Sequence, residues 1–290
     1  MWNNIKILIH QIIYVSKNWL KTIKGQLPEY KIMMESHRLE KGLLHKTPKP
    51  NWGWEKAESL GVLIETCQDR FACDTAKGVL NAYLDRKKLV PEEVDLVDAF
   101  IKKHPNILEK APSGGMQTIR HKDICFVDEE RELIEKFFRT RHSAREFSSV
   151  LVDKADLNKA IELALQCPSA CNRQPTHIYV YQNKEIQTMC LAVDVRAYET
   201  GEFNDWIVSP SIFAGYLTLS LHLYGIGSCV MRKPLYGKSD YKKMMYEKAG
   251  LPENEMVIIE IVFGYYKEEF SAAVSRRHNV DEIVKIKIGD

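Results

Sequence analysis

The stretch 154–181 runs Lys154-Ala155-Asp156-Leu157-Asn158-Lys159-Ala160-Ile161-Glu162-Leu163-Ala164-Leu165-Gln166, then Cys167-Pro168-Ser169-Ala170-Cys171-Asn172-Arg173-Gln174-Pro175, then Thr176-His177-Ile178-Tyr179-Val180-Tyr181. Three local grammars follow one another. Apolar positions at helical spacing predict a helix over 154–166, two prolines bound a rigid polar turn, and a β-branched and aromatic run predicts a strand over 177–181. Working outward, Leu133, Ile134, Phe137 and Phe138 give a helix over 129–140, and residues 257–263 read as a strand ended by Gly264. Between them 209–224 is apolar nearly all round (Ile212, Phe213, Tyr216, Leu217, Leu219, Leu221, Leu223), as suits a helix buried on several sides. A chain of this size offers few such places, so that helix fits a subunit interface. Helices alternating with strands make the fold class α+β, a sheet with flanking helices.

Upstream the grammar is helical only. Leu60, Leu63, Ile64, Cys67, Phe71, Ala76, Val79, Leu80, Tyr83 and Leu84 keep one period, with a break expected near 73–78. A further helix starts at Pro91 and presents Val94, Val97, Phe100 and Ile101. His104-Pro105 and Ala111-Pro112-Ser113-Gly114-Gly115 then interrupt periodicity. The expected division is an arm over 1–28, a mainly helical region over 29–118 and a sheet-containing domain over 119–290.

The composition is that of an ordinary globular chain: 290 residues, 45% apolar and 28% charged. Lys and Arg number 41 against 39 Asp and Glu, leaving +2 and no overall field for nucleic acid. Seven cysteines without framework spacing read as reduced thiols of a cytoplasmic protein. The charge is unevenly placed. Residues 1–28 hold Lys6, Lys17, Lys21 and Lys24 and no carboxylate, so they carry +4 and the remainder carries −2. Ile5, Leu8, Ile9, Ile12, Ile13, Val15, Trp19, Leu20 and Ile23 recur near helical spacing in this head, which polar residues interrupt too often for a transmembrane span. Nor does it read as a signal peptide. It reads either as an arm packed on its own domain or a partner subunit, or as a helix lying on an anionic membrane surface with Trp2 and Trp19 at the boundary.

Four segments carry chemistry-bearing residues. Arg141-His142-Ser143-Ala144-Arg145-Glu146-Phe147 sets two arginines four apart with a hydroxyl between, an inventory suited to a phosphate and its ester chain; a solvated basic face has the same composition. The segment 167–175 is a polar loop held between rigid elements, where ligand contacts collect, although a helix stop explains its prolines equally well. Its Cys167 and Cys171 lack a second ligand pair, so no metal site is expected. Gly225-Ile226-Gly227-Ser228-Cys229-Val230-Met231 closes the apolar helix, with Gly225 as a helix cap and Gly227 allowing close approach of something flat or bulky. Ser275-Arg276-Arg277-His278 is the last of the four.

In this order and at these separations, the four segments resemble the FMN-dependent nitroreductase family over residues 129–290. The Arg-His-Ser-x-Arg-x-Phe and Pro-Ser-Ala-x-Asn-x-Gln-Pro motifs are its more specific parts. The resemblance implies a mixed sheet wrapped by helices, an obligate homodimer, and two FMN sites built from both subunits. Carried over residue by residue, it implies that Arg141, His142, Ser143 and Arg145 hold the flavin phosphate and ribityl chain. Pro168, Ser169, Ala170 and Asn172 approach the same flavin from the other subunit, Val230 and Met231 bring backbone amides near the ring, and Arg276 or Arg277 returns to the phosphate. The family's compact members lack the N-terminal region, and Arg232-Lys233 stand here where an acidic residue and glycine often follow.

What the resemblance implies in function is an oxidoreductase that takes electrons from NADH or NADPH and passes them to an electrophilic small molecule, such as a nitro compound, quinone or conjugated system, in a ping-pong cycle. The chemistry would be the flavin's, with no catalytic side chain required. A specialised tailoring dehydrogenase or reductase, a protein that holds FMN without turnover, and a membrane-associated protein working through its basic head are the alternatives. His37-Arg38-Leu39-Glu40-Lys41-Gly42-Leu43 resembles a segment of some long family members; it reads as a salt-linked helix end capped by Gly42, or as a lid or partner contact.

Overall fold

The computed structural model describes the chain except residues 1–4, 6–8, 10, 11, 14, 18, 47, 48, 50, 109–113, 203, 232–244, 253, 254, 290 and the side chain of Lys24. Arg232, Lys233 and Ala111 to Ser113 lie outside the described residues.

Four helices build the N-terminal layer: α1 (Pro28–Leu43), α2 (Trp54–Thr66), α3 (Arg70–Lys87) and α4 (Val94–Lys103). Their apolar stripes meet in one core of Ile32, Leu39, Leu60, Val79, Leu80, Tyr83, Val97 and Phe100. The period spanning 57–84 breaks earlier than its spacing suggests. Cys67 turns extended, and the Asp69 carboxylate accepts the Ala72 N–H at 2.8 Å, so a side-chain cap starts α3 afresh. Gly42 also departs from expectation. It lies inside α1, not at a cap, and a Cβ there would run into the Trp52 ring, so its lack of a side chain makes room for an aromatic neighbour.

The second half is built on a four-stranded sheet of β1 (Thr176–Gln182), β2 (Gln187–Val193), β3 (Ile226–Met231) and β4 (Met256–Tyr265), in the order β1-β2-β4-β3, with every pair antiparallel. The parallel element is an isolated bridge in which Ser143 runs beside Ser228 at the open edge of β3. The expected strand over 257–263 extends through Gly264 to Tyr265. One face of the sheet is covered by α6 (Lys154–Ala164) and α7 (Asp205–Leu223), through Leu157, Ala160, Phe213, Ala214, Leu217 and Leu221 against Met189, Leu191, Ile261 and Phe263. Tyr30 of α1 joins Val193, Tyr198, Trp206 and Met256 in a third core, which ties the helical layer to the sheet.

α7 is long and apolar enough by composition to cross a membrane, yet in this chain it is a core helix on one side only. Ile207, Val208, Ile212, Tyr216 and Leu223 remain 37–54% exposed, so within a single chain the helix keeps an apolar outer face. Helix α5 (Asp128–Thr140) is strongly amphipathic but buries no residue, and Leu133 and Phe138 are 68% and 57% exposed.

Candidate functional site

The Arg141 segment leaves α5 in extended conformation and is laid against the sheet edge by the Ala144 N–H, which donates to the Ser228 carbonyl at 3.1 Å. Ala144 is fully buried, whereas Ser143 and Arg145 on either side of it are exposed. This is strand alternation: one small side chain faces in and its neighbours face out. Gly227 sits opposite. A Cβ there would lie 2.8 Å from the Tyr266 ring and 2.9 Å from the Ala144 Cβ, so the bulky group expected over this glycine is Tyr266.

The electrostatics of the cluster are one-sided. Glu146, its only carboxylate, is drawn off to Lys267 at 3.3 Å. Arg141 and Arg145 have no ion pair, and the Ser143 hydroxyl no hydrogen bond, among the described residues. Arg141 is half-buried near His222 and Tyr266. His222 shares contacts at 3.0 Å with the Thr140 hydroxyl and the Tyr266 hydroxyl, and its ring stacks on Phe137. Burial, and then the charge of Arg141, push the His222 imidazole below its usual range, while burial pushes the Tyr266 phenol up. Both neighbours therefore stay neutral and leave the Arg141 charge uncompensated. His142 is held by a contact of 2.8 Å between its Nδ1 and the Thr140 carbonyl. Two guanidinium groups and a hydroxyl without partners among the described residues, on a fixed sheet edge, form a donor set that fits a phosphate ester. A hollow of about 710 Å³ opens beside Arg145, Phe147 and Tyr266.

The proline-bounded loop is built differently. It contains a 3-10 turn at Ala170–Asn172, and Cys171, Asn172 and Gln174 all adopt positive φ, near 50°. Three such non-glycine residues in four positions are costly and persist only where the surroundings fix them. The Ser169 hydroxyl accepts the Gln174 N–H at 3.0 Å, and the Ala170 N–H donates to the Ser209 hydroxyl at 3.3 Å. The main anchor is Arg173, a residue that motif reading passed over. It is 2% exposed, donates to both carboxylate oxygens of Glu202 at 2.7 and 2.8 Å, and stacks over the Tyr198 ring. With Arg173 drawn inward, Pro168 and Asn172 face solvent. The sequence holds one cue to it, an arginine inside a loop otherwise made of small polar residues, but its partner lies 29 positions away.

Within one chain the two clusters do not meet. The register places Thr176, at the end of the loop, level with Met256, and places Ser143 level with Phe263. The loop precedes β1 at one edge and Ser143 lies outside β3 at the other. At ordinary strand spacing and rise they are separated by about 19 Å across the sheet and roughly 20 Å along it. Val230 and Met231 end β3, with Val230 48% exposed, on the same side of the sheet order as Ser143. Arg276 and Arg277 lie on an exposed segment without regular secondary structure and have no hydrogen bond or ion pair among the described residues.

A second polar cluster lies by the loop. His177 Nδ1 is 2.6 Å from a Glu255 carboxylate oxygen that also accepts from the Tyr179 hydroxyl at 2.9 Å. The hydrogen bond to Glu255 raises the His177 imidazole above its ordinary value, although burial opposes it. Glu29, Tyr30, Phe71, Gln174 and His177 border a hollow of about 410 Å³ between the helical layer and the loop.

Residues 138–202 match the family model described as the Nitroreductase family. A protein of Archaeoglobus fulgidus provisionally described as an NADH dehydrogenase/NAD(P)H nitroreductase is 25% identical over 154 residues, which cover 46% of this chain and 86% of that protein. Among solved structures, an FMN-dependent nitroreductase from Clostridium difficile R20291 is 24% identical, with 51% of this chain and 92% of that one covered and a TM-score of 0.41. A nitroreductase with bound FMN from Desulfitobacterium hafniense is 16% identical, with 53% and 97% covered and a TM-score of 0.42.

Proposed function

We propose that this chain, an oxidoreductase of the nitroreductase family, binds FMN in a site shared between two copies of itself and uses NADH or NADPH to reduce an electrophilic small molecule. The observation that carries this reading is the donor set at Arg141, Ser143 and Arg145, which has no partner or neutralising carboxylate beside the β3 edge among the described residues. FMN, when bound, supplies two-electron chemistry between the nicotinamide and a nitro compound, quinone or conjugated acceptor.

The chain's own part is binding, orientation and electrostatics. Arg141 and Arg145 neutralise the phosphate, while Ser143 and His142 donate along its ester chain. Val230 and Met231 at the end of β3 offer backbone amides to the ring, whose negative charge on reduction favours fixed donors. Pro168, Ser169, Ala170 and Asn172 come from the second copy, because the sheet holds one chain's loop far from its own arginines. The exposed apolar faces of α5 and α7 are the surface through which the copies join. Arg276 or Arg277 returns to the phosphate.

The test is an absorbance spectrum of the purified protein, then of its anaerobic mixture with NADH or NADPH. A flavin spectrum that bleaches with either donor supports the reading. Protein that takes up no FMN contradicts the site, and bound flavin that neither donor bleaches contradicts nicotinamide-driven turnover.

A further inference from the structure

The head of the chain is docked by one flank and bare on another. Among its described residues, Ile5, Ile9, Ile12, Ile13, Val15, Ser16, Lys17 and Trp19 are helical, and a 3-10 turn follows at Leu20–Lys24. Val15 and Trp19 pack on the core formed by Tyr30, Val193, Tyr198 and Trp206. Just beyond, the Leu27 N–H donates to the Arg196 carbonyl at 3.1 Å, and the Gln26 amide donates to the Ala197 carbonyl at 3.0 Å. The arm is thus packed on its own domain, as one of the two sequence expectations has it.

That docking leaves a row of exposed apolar side chains among the described residues of the head. Ile5, Ile9, Ile12 and Ile13 are 40–56% exposed, and Leu20 and Ile23 continue the row at 59% and 68%. At about 100° per residue the four isoleucines fall within an arc of roughly 100°, with Val15 and Trp19 on one flank and Lys17 on the other. Because Val15 and Trp19 are held by the core, the helix cannot roll to bury the stripe without giving up that packing. The whole head holds four lysines and no carboxylate, against a remainder of −2. An exposed apolar stripe flanked by Lys17, on a head whose own sequence carries four lysines and no carboxylate, matches an anionic bilayer surface.

We infer that the stripe Ile5, Ile9, Ile12, Ile13, Leu20 and Ile23, flanked by Lys17, docks the protein on anionic membrane surfaces, with the sheet-containing domain held outside the lipid. A single stripe of this length gives reversible, salt-sensitive association, not permanent anchoring.

The experiment is flotation of the full-length protein with vesicles of phosphatidylcholine containing 30% phosphatidylglycerol, and with phosphatidylcholine alone, at about 0.1 M salt. Protein is expected to float with the anionic vesicles and to stay behind with the neutral ones. The double variant Ile9→Glu/Ile13→Glu, whose positions are exposed, should keep the wild-type circular dichroism and flavin content and lose at least ten-fold in vesicle affinity. Lys17→Ala should lose about five-fold. Equal flotation of wild type and the double variant, or no flotation with anionic lipid, overturns the inference. If light scattering instead shows the double variant losing an oligomeric contact while wild type ignores both vesicle types, a second copy covers the stripe and the inference also fails.

Discussion

Arg173 and Glu202 form a two-pronged ion pair, 2.7 and 2.8 Å at its two hydrogen bonds, that pins a strained loop from inside. The arginine is fully buried and Glu202 remains about a quarter exposed. Removing one partner of a buried pair strands the other charge, which typically costs about 3–5 kcal/mol. The partial exposure of Glu202 argues for the lower end. Arg173→Ala is therefore expected to lower unfolding free energy by about 3 kcal/mol in urea titration. It should also weaken flavin retention, because the positive φ at Cys171, Asn172 and Gln174 then loses its support. Wild-type stability in Arg173→Ala would mean the loop is held by its backbone contacts alone.

For Glu202 the sign of the pH effect is set by the same pair. Burial pushes its carboxyl up, but the hydrogen bonds from Arg173 and the Glu199 N–H outweigh it and hold the group below its ordinary value. A depressed carboxylate contributes stability that is fully present above its unfolded pKa and is lost as pH falls through the folded value. Melting temperatures measured downward from pH 6 should fall more steeply in wild type than in Glu202→Gln.

His177 carries the opposite sign. Its imidazole is raised by the hydrogen bond to Glu255, so its contribution is complete below the unfolded value near 6.5 and disappears as pH rises through the folded one. The side chain is nearly half exposed, so the effect is small. Thermal scans between pH 6 and 9 should show a decline in wild type that His177→Gln lacks. Parallel curves for the two proteins would remove His177 from the pH response.

How much of this was legible depended on the range over which each feature is encoded. Helices follow from local periodicity, and β1 and β4 from runs rich in β-branched and aromatic residues. β2 did not, because its buried centre Met189-Cys190-Leu191-Ala192 holds neither β-branched nor aromatic residues and shows no in–out alternation. β3 reads Ile226-Gly227-Ser228-Cys229, small residues with weak strand preference, and becomes a strand only by pairing with β4 and Ser143. In the candidate site, the arginines of 141–145 are visible as a cluster because they sit four positions apart. The absence of a neutralising charge is not, since it depends on Lys267 drawing Glu146 away. Arg173 was the hardest to see, because its meaning lies in Glu202, Tyr198 and Met34, brought together only by the tertiary fold.

The phosphate assignment predicts a graded loss. A hydrogen bond to a charged group contributes about 1.5–3 kcal/mol, or roughly ten- to a hundred-fold in affinity. Arg141→Ala and Arg145→Ala should each weaken FMN binding by that factor in fluorescence titration. Glu146→Gln should leave it within about two-fold, because that carboxylate is already engaged by Lys267. Unchanged affinity in both arginine variants would place the phosphate elsewhere.

On the proposed two-copy arrangement, the outer faces of α5 and α7 carry the contact between copies. Val208, Ile212 and Tyr216 recur four apart along an exposed face of α7, with Leu223 seven positions further on, and Leu133 and Phe138 are exposed on α5. A stable self-association needs about 1,000 Å² or more of matched surface, and two amphipathic helices with apolar outer faces offer the material for it. In light scattering the wild-type protein is expected at twice the mass of its 33.5 kDa chain. Phe138→Glu combined with Tyr216→Glu places two carboxylates on that face, at positions 57% and 44% exposed in the single chain, so the fold should survive while the dimer separates. Flavin should leave with the partner, because the loop at Ser169 and the arginines at 141 and 145 occupy opposite edges of one sheet. A monomeric variant that keeps both its fold and its FMN would show instead that a single chain completes the site, and the two-copy arrangement would have to be abandoned.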